Sequence, residues 1–164
     1  MFILRATAKL RQRIGEPARY SGERSTTVLG DWYATMLLWR PQVALLVNER
    51  TLLPVFMPLA AGATMPARVA DQVGDVLTAH GVADSVIHAE VERMRQWRIA
   101  PTANRSVVGV MNEFAFLADV WRDSPNPDLI AMAVRLAATP CSPLYKRHGS
   151  PDRELAAVLD QVGV

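Results

Sequence analysis

The stretch from Leu29 to Leu59 constrains the fold more than any other part of the chain, because it is the densest in strand-forming residues. Turn residues at Arg40-Pro41 and at Asn48-Glu49-Arg50 divide it into three runs of strand length. The runs cover residues 31–39, 42–47 and 51–59. Two short connections between such runs predict an antiparallel meander.

The middle run of the meander, Val43 to Val47, is apolar without alternation. This pattern is typical of a central strand covered on both faces, and also of a piece of buried helix. The flanking turns and the β-branched residues favour the strand. In the third run, Pro54 and Pro58 lack N–H groups on the same side of the strand. That side is therefore predicted to be an unpaired edge of the sheet. Whether this edge meets a second copy in a homodimer stays open.

The rest of the chain predicts helices and two further short strands. A strand over residues 2–6 precedes a helix capped by Thr7, and Trp97 to Pro101 returns as a strand. Further helices are expected near 67–80, 84–96, 106–121, 126–138 and from 150 onward, with Asp84 as the cap of the second of these. The predicted fold class is therefore α+β: an antiparallel meander sheet of four to five strands, packed with five to six helices. With 164 residues and 50% hydrophobic content, the chain is expected to form a single domain over 1–164.

Charge and cysteine content indicate a soluble cytoplasmic protein. The formal net charge is +2, but basic residues dominate the beginning of the chain, namely Arg5, Lys9, Arg11, Arg13, Arg19 and Arg24. The polar segment 16–27 predicts an exposed connection. Cys141 is the single cysteine and has no partner for an internal disulfide, and no stretch is typical of a signal peptide or a membrane span. No membrane association is expected.

No catalytic or cofactor motif is found, so no cofactor is predicted. The chain lacks a phosphate-binding loop, a dinucleotide-binding glycine pattern, a nucleophile elbow and paired CxxC motifs. His80, His88 and His148 lie in unrelated elements without metal-ligand spacing, so no metal site is predicted. A lone cysteine such as Cys141 is usually a small buried hydrophobe.

Polar residues concentrate at the ends of otherwise apolar elements. In the segment that opens the helix near residue 106, Arg105, Gly109 and Asn112 are spaced i, i+4, i+7 and share one face. A free helix N-terminus and a guanidinium together can bind a carboxylate or a phosphate. The candidate ligand-binding residues are Asp31, Trp32, Asn48, Glu49, Thr51, Thr102, Asn104, Arg105, Ser106 and Asn112.

A structural interpretation of the same residues stays open. Thr102 or Asn104 can simply cap the helix, and Arg105 can be a buried partner of Asp31 or Glu49. The two interpretations differ in whether Arg105 is exposed or buried.

Three segments resemble an uncharacterised bacterial family, a domain of unknown function. They are GDWYATMLL, LLVNERTL and TANRSVVGVMNEF, and the resemblance covers about residues 1–117. It implies a compact intracellular α+β protein and supplies no activity or catalytic residues. Members of the family often have histidine at the position of Tyr33. The helical C-terminal part, about 124–164, is predicted from pattern alone.

Two functions of different classes are compatible with the sequence. The first is a binding or regulatory module that recognises an anionic ligand or a macromolecular partner. The second is a small hydrolase or nuclease in which Asp31 or Glu49 acts with Arg105, so whether the protein is an enzyme stays open. Nucleic acid or an acidic protein is a candidate partner of the basic N-terminal helix, with Trp32, Tyr33 and Trp39 as stacking surfaces, although aromatic residues in strands are usually packed.

Overall fold

Five strands and six α-helices make up the part of the chain that the computed structural model describes, residues 1–15 and 20–162. In chain order they are β1 (Phe2–Ala6), α1 (Ala8–Ile14), β2 (Trp32–Leu37), β3 (Val43–Asn48), β4 (Pro54–Pro58), α2 (Met65–Ala79), α3 (Asp84–Arg93), β5 (Trp97–Pro101), α4 (Arg105–Trp121), α5 (Leu129–Ala137) and α6 (Pro151–Gln161). The α+β class is confirmed. None of these helices is both long and apolar enough to cross a bilayer.

The strands form one mixed sheet in the order β4-β3-β2-β1-β5. The meander of β2, β3 and β4 is antiparallel, as predicted. The expectation of a purely antiparallel sheet is wrong, because β1 pairs in parallel with both β2 and β5. Parallel neighbours require a crossover connection, and between β1 and β2 this crossover contains α1. The central strand is consequently β2, and β3, although buried along its whole length, is second from one edge.

The two prolines of the meander mark the edge of the sheet. Pro54 and Pro58 are the first and last residues of β4, which lies at the end of the strand order. The edge position predicted from their missing N–H groups is confirmed. Helix α5 packs against this strand.

Two helices begin at other residues than the predicted ones, and one predicted cap makes no side-chain bond. Ala83 is the N-cap of α3, and Asp84 is instead its first residue, so the predicted cap is wrong. Helix α5 begins at Leu129 rather than near Asn126, because the carboxylate of Asp128 accepts a hydrogen bond from the N–H of Ala131. Thr7 is the N-cap of α1, but its side chain makes no capping bond.

The segment before β2 runs along the parallel side of the sheet. Residues 16–19 of the predicted connection lie outside the described residues. The N–H of Tyr20 donates to the carbonyl of Ile99, and the N–H of Ile3 donates to Ser25 Oγ. The connection is therefore tied to β5 and β1, the two strands that also lead into the polar residues discussed below.

Helix α4 presents a buried face and an exposed face. Helical spacing of five apolar residues predicts a core-facing stripe of Val107, Met111, Phe114, Ala118 and Trp121. The first four are buried, as predicted, and Trp121 is half-buried. α4 contacts β2 and β3. Its first residue follows β5 by a short loop, so the start of α4 lies close to the polar residues of the sheet.

Candidate functional site

Three of the predicted ligand-binding residues belong to the interior. Trp32, Asn48 and Thr51 are completely buried. The Asn48 amide donates to the carbonyls of Leu29 and Asp31, at 2.9 and 3.2 Å, and its oxygen accepts from the backbone and the hydroxyl of Thr51. These bonds hold the turn between β3 and β4 against the start of β2. Asn48 and Thr51 therefore position their neighbours and have no surface for a ligand.

Asp31 is paired with an arginine that the sequence analysis did not select. Its Oδ2 accepts from Arg5 Nε at 2.8 Å, and its Oδ1 accepts from Ser25 Oγ at 2.6 Å. Only 17% of the Arg5 side chain and 15% of the Asp31 side chain are exposed. Both carboxylate oxygens thus have a donor in a half-buried site. The alternative in which Arg105 pairs with Asp31 is wrong, because Arg5 on β1 occupies that place.

Arg5 has further contacts that hold its guanidinium in place. Nη1 donates to the carbonyl of Pro101 at 3.3 Å, and the guanidinium carbon lies 5.3 Å from the centre of the Tyr20 ring. Burial on its own lowers the pKa of Arg5, but the hydrogen bond and charge of Asp31 more than offset it and raise the pKa. Arg5 is the one charged residue in the otherwise apolar strand FILRA, and this contrast is the sequence signal that could have identified it.

Tyr33 joins the sheet to the beginning of α4. It is adjacent to Arg5 in the register of β1 and β2, and its hydroxyl accepts the N–H of Asn104 at 2.9 Å. Glu49 Oε1 lies 3.5 Å from the same hydroxyl. Burial raises the pKa of the Tyr33 phenol above its ordinary value, so the phenol is neutral and its O–H can donate a hydrogen bond to Glu49.

Asn104 is the N-cap of α4. Its side-chain oxygen accepts from the N–H groups of Ser106 and Val107, at 2.9 and 3.4 Å. The capping role that the sequence left open between Thr102 and Asn104 therefore belongs to Asn104. Two N–H groups that an anion would need at this helix end already have an acceptor.

Arg105 has the environment expected of a binding residue rather than of a structural clamp. Arg105 is exposed, and within the described ranges 1–15 and 20–162 its side chain makes no hydrogen bond or ion pair. Ser106 and Asn112 are exposed, and a methyl group added at Gly109 would meet no atom within 4 Å. The predicted face of Arg105, Gly109 and Asn112 thus points to solvent.

Large apolar residues continue this exposed face toward the end of α4. Phe116 is 67% exposed and Val120 is 61% exposed. Helical spacing places them in line with Arg105, Gly109 and Asn112, and Asp119 lies beside them. We call Arg105, Gly109, Asn112, Phe116, Asp119 and Val120 the α4 stripe. The signal that identifies Phe116 and Val120 is their position outside the predicted core stripe.

Four cavities in the described part of the chain have neither a residue of the α4 stripe nor a predicted ligand-binding residue in their linings. One cavity, of about 500 Å³, lies between the α2–α3 turn and α6, with His80, Asp152 and Leu159 in its lining. None of the predicted ligand-binding residues lines it. Within residues 1–15 and 20–162, no three histidine, cysteine or acidic side chains come close enough to hold a metal ion.

The fold and these residues define a small α+β protein with an internally paired Arg5–Asp31 site and an exposed helix. The chain belongs to the family described as a domain of unknown function (DUF6933), whose model matches residues 3–154. The match continues past residue 117, through α4 and α5 and into α6. No curated protein and no solved structure matches the chain.

Proposed function

We propose that this protein is a binding or regulatory module that recognises a macromolecular partner through the α4 stripe, with Arg105 as the anchor for an acidic group of that partner. The observation that carries the proposal is the state of Arg105, which is exposed and unpaired within the described residues at the head of an exposed helix face. A guanidinium in this state can take a carboxylate or a phosphate in two parallel hydrogen bonds.

The composition of the α4 stripe favours a macromolecule over a small anion. Phe116 and Val120 expose apolar surface that a free phosphate or carboxylate would leave in water. Asn112 adds an amide that both donates and accepts hydrogen bonds. Aromatic and arginine side chains around an open backbone position are the residue types that anchor protein interfaces.

The hydrolase or nuclease alternative has less support, because its groups do not meet Arg105. Both oxygens of Asp31 accept bonds from Arg5 and Ser25, and the Glu49 carboxylate lies beside the Tyr33 hydroxyl. A carboxylate that is already bonded on both oxygens is poorly disposed to remove a proton or hold a metal.

A nucleic-acid partner also has less support. Lys9 and Arg13 are exposed on α1, but the rings that could stack on bases, Trp32, Tyr33 and Trp39, are buried. Without exposed rings beside α1, the basic residues offer only unspecific charge.

We further propose that the module is a single domain in the cytoplasm of a bacterial cell. The support is the single cysteine, which gives no internal disulfide, together with the sequence resemblance to a bacterial family.

Titration of ¹⁵N-labelled protein tests the proposed function. The probes are inorganic phosphate and a short peptide of alternating glutamate and leucine. The peptide is expected to shift the resonances of Arg105, Gly109 and Asn112, whereas phosphate causes a weaker change at Arg105 alone. Arg105→Ala should abolish the peptide-induced shifts. The matched control is Arg24→Ala, another exposed arginine, which should retain them. Shifts confined to α1, or an equal loss in both variants, would contradict the proposal.

A further inference from the structure

Charge is distributed unevenly along the α4 stripe. Arg105 is its first residue, and Asp119, which is 61% exposed in its side chain, lies near its end. At 1.5 Å per residue, the two are about 21 Å apart along the helix axis. Asp119 Oδ1 lies 3.3 Å from Arg122 Nε of its own chain. Because most of the Asp119 side chain is nevertheless exposed, its carboxylate can bind a second cation.

Shape is distributed unevenly as well. Gly109 is a gap, because no atom lies within 4 Å of the position that its Cβ would take. Phe116 is a projection, exposed by 67% and two helical turns further along the same face. The first half of the α4 stripe therefore has the cationic Arg105 and the open space at Gly109. The second half has the protruding ring of Phe116 and the anionic Asp119.

We infer that the partner of the α4 stripe is a second copy of this chain, with the two α4 helices packed antiparallel across a two-fold axis. This inference rests on the proposed function. An antiparallel pair places Phe116 of each copy over Gly109 of the other. The same register brings Arg105 of each copy against Val120 of the other, since the pairs 109/116 and 105/120 share a midpoint between residues 112 and 113. Asp119 of the other copy is then one residue away from Arg105.

Each contact in this register joins unlike groups. The Arg105 stem packs on the methyl groups of Val120, and its guanidinium reaches the Asp119 carboxylate. Asn112 meets Glu113 at the axis. A parallel pair would instead place arginine against arginine and aspartate against aspartate, so charge selects the antiparallel arrangement.

The size of the surface sets the expected strength of the dimer. A single pair of helices of 17 residues, each about 25 Å long, lies at the low end of specific interfaces. Leu38, 68% exposed, lines a cavity together with Arg122 and Asp123 and so extends the apolar area beside the end of α4. The formal net charge of +2 opposes self-association only weakly.

Gly109→Gln provides the sharpest test, because the substitution fits the isolated chain and fills the gap. Sedimentation equilibrium of the wild type should give a mass that rises with concentration toward twice the 18.1 kDa of the chain. Gly109→Gln and Phe116→Lys should each weaken dimerisation at least tenfold. The control variants Ala67→Gln, at an exposed helical alanine on α2, and Tyr145→Lys, at an aromatic residue 66% exposed elsewhere, should dimerise as the wild type does.

A charge exchange tests the direction of packing. Arg105→Asp alone places acid against acid and should weaken the dimer, and Asp119→Arg alone should do so by placing base against base. The double variant Arg105→Asp with Asp119→Arg should recover dimerisation. Loss that is not recovered in the double variant would overturn the antiparallel arrangement.

These experiments distinguish a failure of the proposed dimer from a failure of the proposed function. A wild type that stays monomeric to millimolar concentration, or a dimer insensitive to Gly109→Gln and Phe116→Lys, overturns the inference. If such a protein still binds the glutamate–leucine peptide through Arg105, the proposed function stands with a different partner. A dimer that dissociates in the variants, and whose formation competes with the peptide, supports both.

Discussion

Two arginines of this protein occupy opposite environments. Arg5 is half-buried and bonded to Asp31 at 2.8 Å, whereas Arg105 is exposed. Removing one partner of a buried pair leaves a charge without compensation, and removing an exposed side chain usually changes little. The same residue type is thus part of the fold in one place and available for binding in the other.

Arg5→Ala is expected to lower the free energy of unfolding by at least about 2 kcal/mol, between the cost for an exposed pair and that for a fully buried one. Arg105→Ala should lower it by less than about 1 kcal/mol. Urea denaturation of the two variants measures both values. The double variant Arg5→Ala with Asp31→Ala should cost less than the sum of the single changes. Equal losses for Arg5→Ala and Arg105→Ala would contradict the assignment of the two roles.

Cys141 is the other residue whose environment makes a direct prediction. Burial, with a smaller contribution from the charge of Glu113, raises the pKa of its thiol from 9.0 to about 11. The residue as a whole is only 4% exposed. In the native protein at pH 8 it should therefore react with a disulfide reagent very slowly, because the thiolate is both scarce and covered.

Denaturant supplies the control for this thiol, since unfolding should release one reactive group per chain. The raised pKa also links the thiol to stability. Its contribution is complete below pH 9.0 and is lost as the pH rises through about 11. Fast labelling of the native protein at pH 8 would show that Cys141 is more open than the structure describes.

Helix α4 has a first turn whose N–H groups are capped by Asn104 and a face that is exposed to solvent. Asn104 bonds to Ser106 and Val107 through its side chain and to Tyr33 through its backbone. The cap fixes where the helix begins, and that in turn fixes which residues form the α4 stripe. One helix therefore both completes the core and carries the candidate binding surface.

Asn104→Ala should destabilise the protein by about 1 kcal/mol, the usual cost of losing an N-cap. Thermal denaturation followed by circular dichroism measures the loss. Asn112→Ala, the same change on the exposed face of the same helix, is the matched control and should stay within about 0.5 kcal/mol of the wild type. Similar losses in the two variants would mean that the cap contributes nothing beyond helix propensity.

At the scale of the whole molecule, Glu90 connects α3 to the segment that leads into β2. It is 3% exposed, and its two oxygens accept the N–H groups of Val28 and Leu29 at 2.9 and 3.0 Å. Asn48 bonds to the carbonyl of Leu29 from the other side. The segment before the central strand is thus held by two buried side chains from distant parts of the chain.

Glu90→Ala leaves the part-buried N–H of Val28 and the buried N–H of Leu29 without an acceptor and should cost at least about 2 kcal/mol. For a domain of this size, calorimetry should show a fall in the melting temperature of about 4–8 °C. Glu92→Ala, two residues away on α3 and exposed, should have almost no effect. An unchanged melting temperature for Glu90→Ala would show that water replaces the carboxylate.

The kind and approximate place of most helices and strands can be predicted from the sequence, because their signals are local. The turn at Arg40-Pro41, the paired prolines of β4 and the core stripe of α4 each depend on neighbours within a few positions. The exposure of Arg105 was one of two interpretations that the spacing i, i+4, i+7 left open. Local spacing identifies the face of a helix but not whether that face is covered.

Contacts between distant residues cannot be predicted in this way, because they depend on how the strands pair. The parallel pairing of β1 with β2 and β5 joins segments about 30 and 95 positions apart, and no local pattern distinguishes it from a longer meander. The same pairing brings Arg5 to Asp31 and Tyr33 to Asn104. It thereby makes Asp31 part of the fold, whereas Asn48 and Thr51 are held by their own bonds at the turn between β3 and β4. The face of α4 is left to solvent, because burial depends on how the whole chain packs.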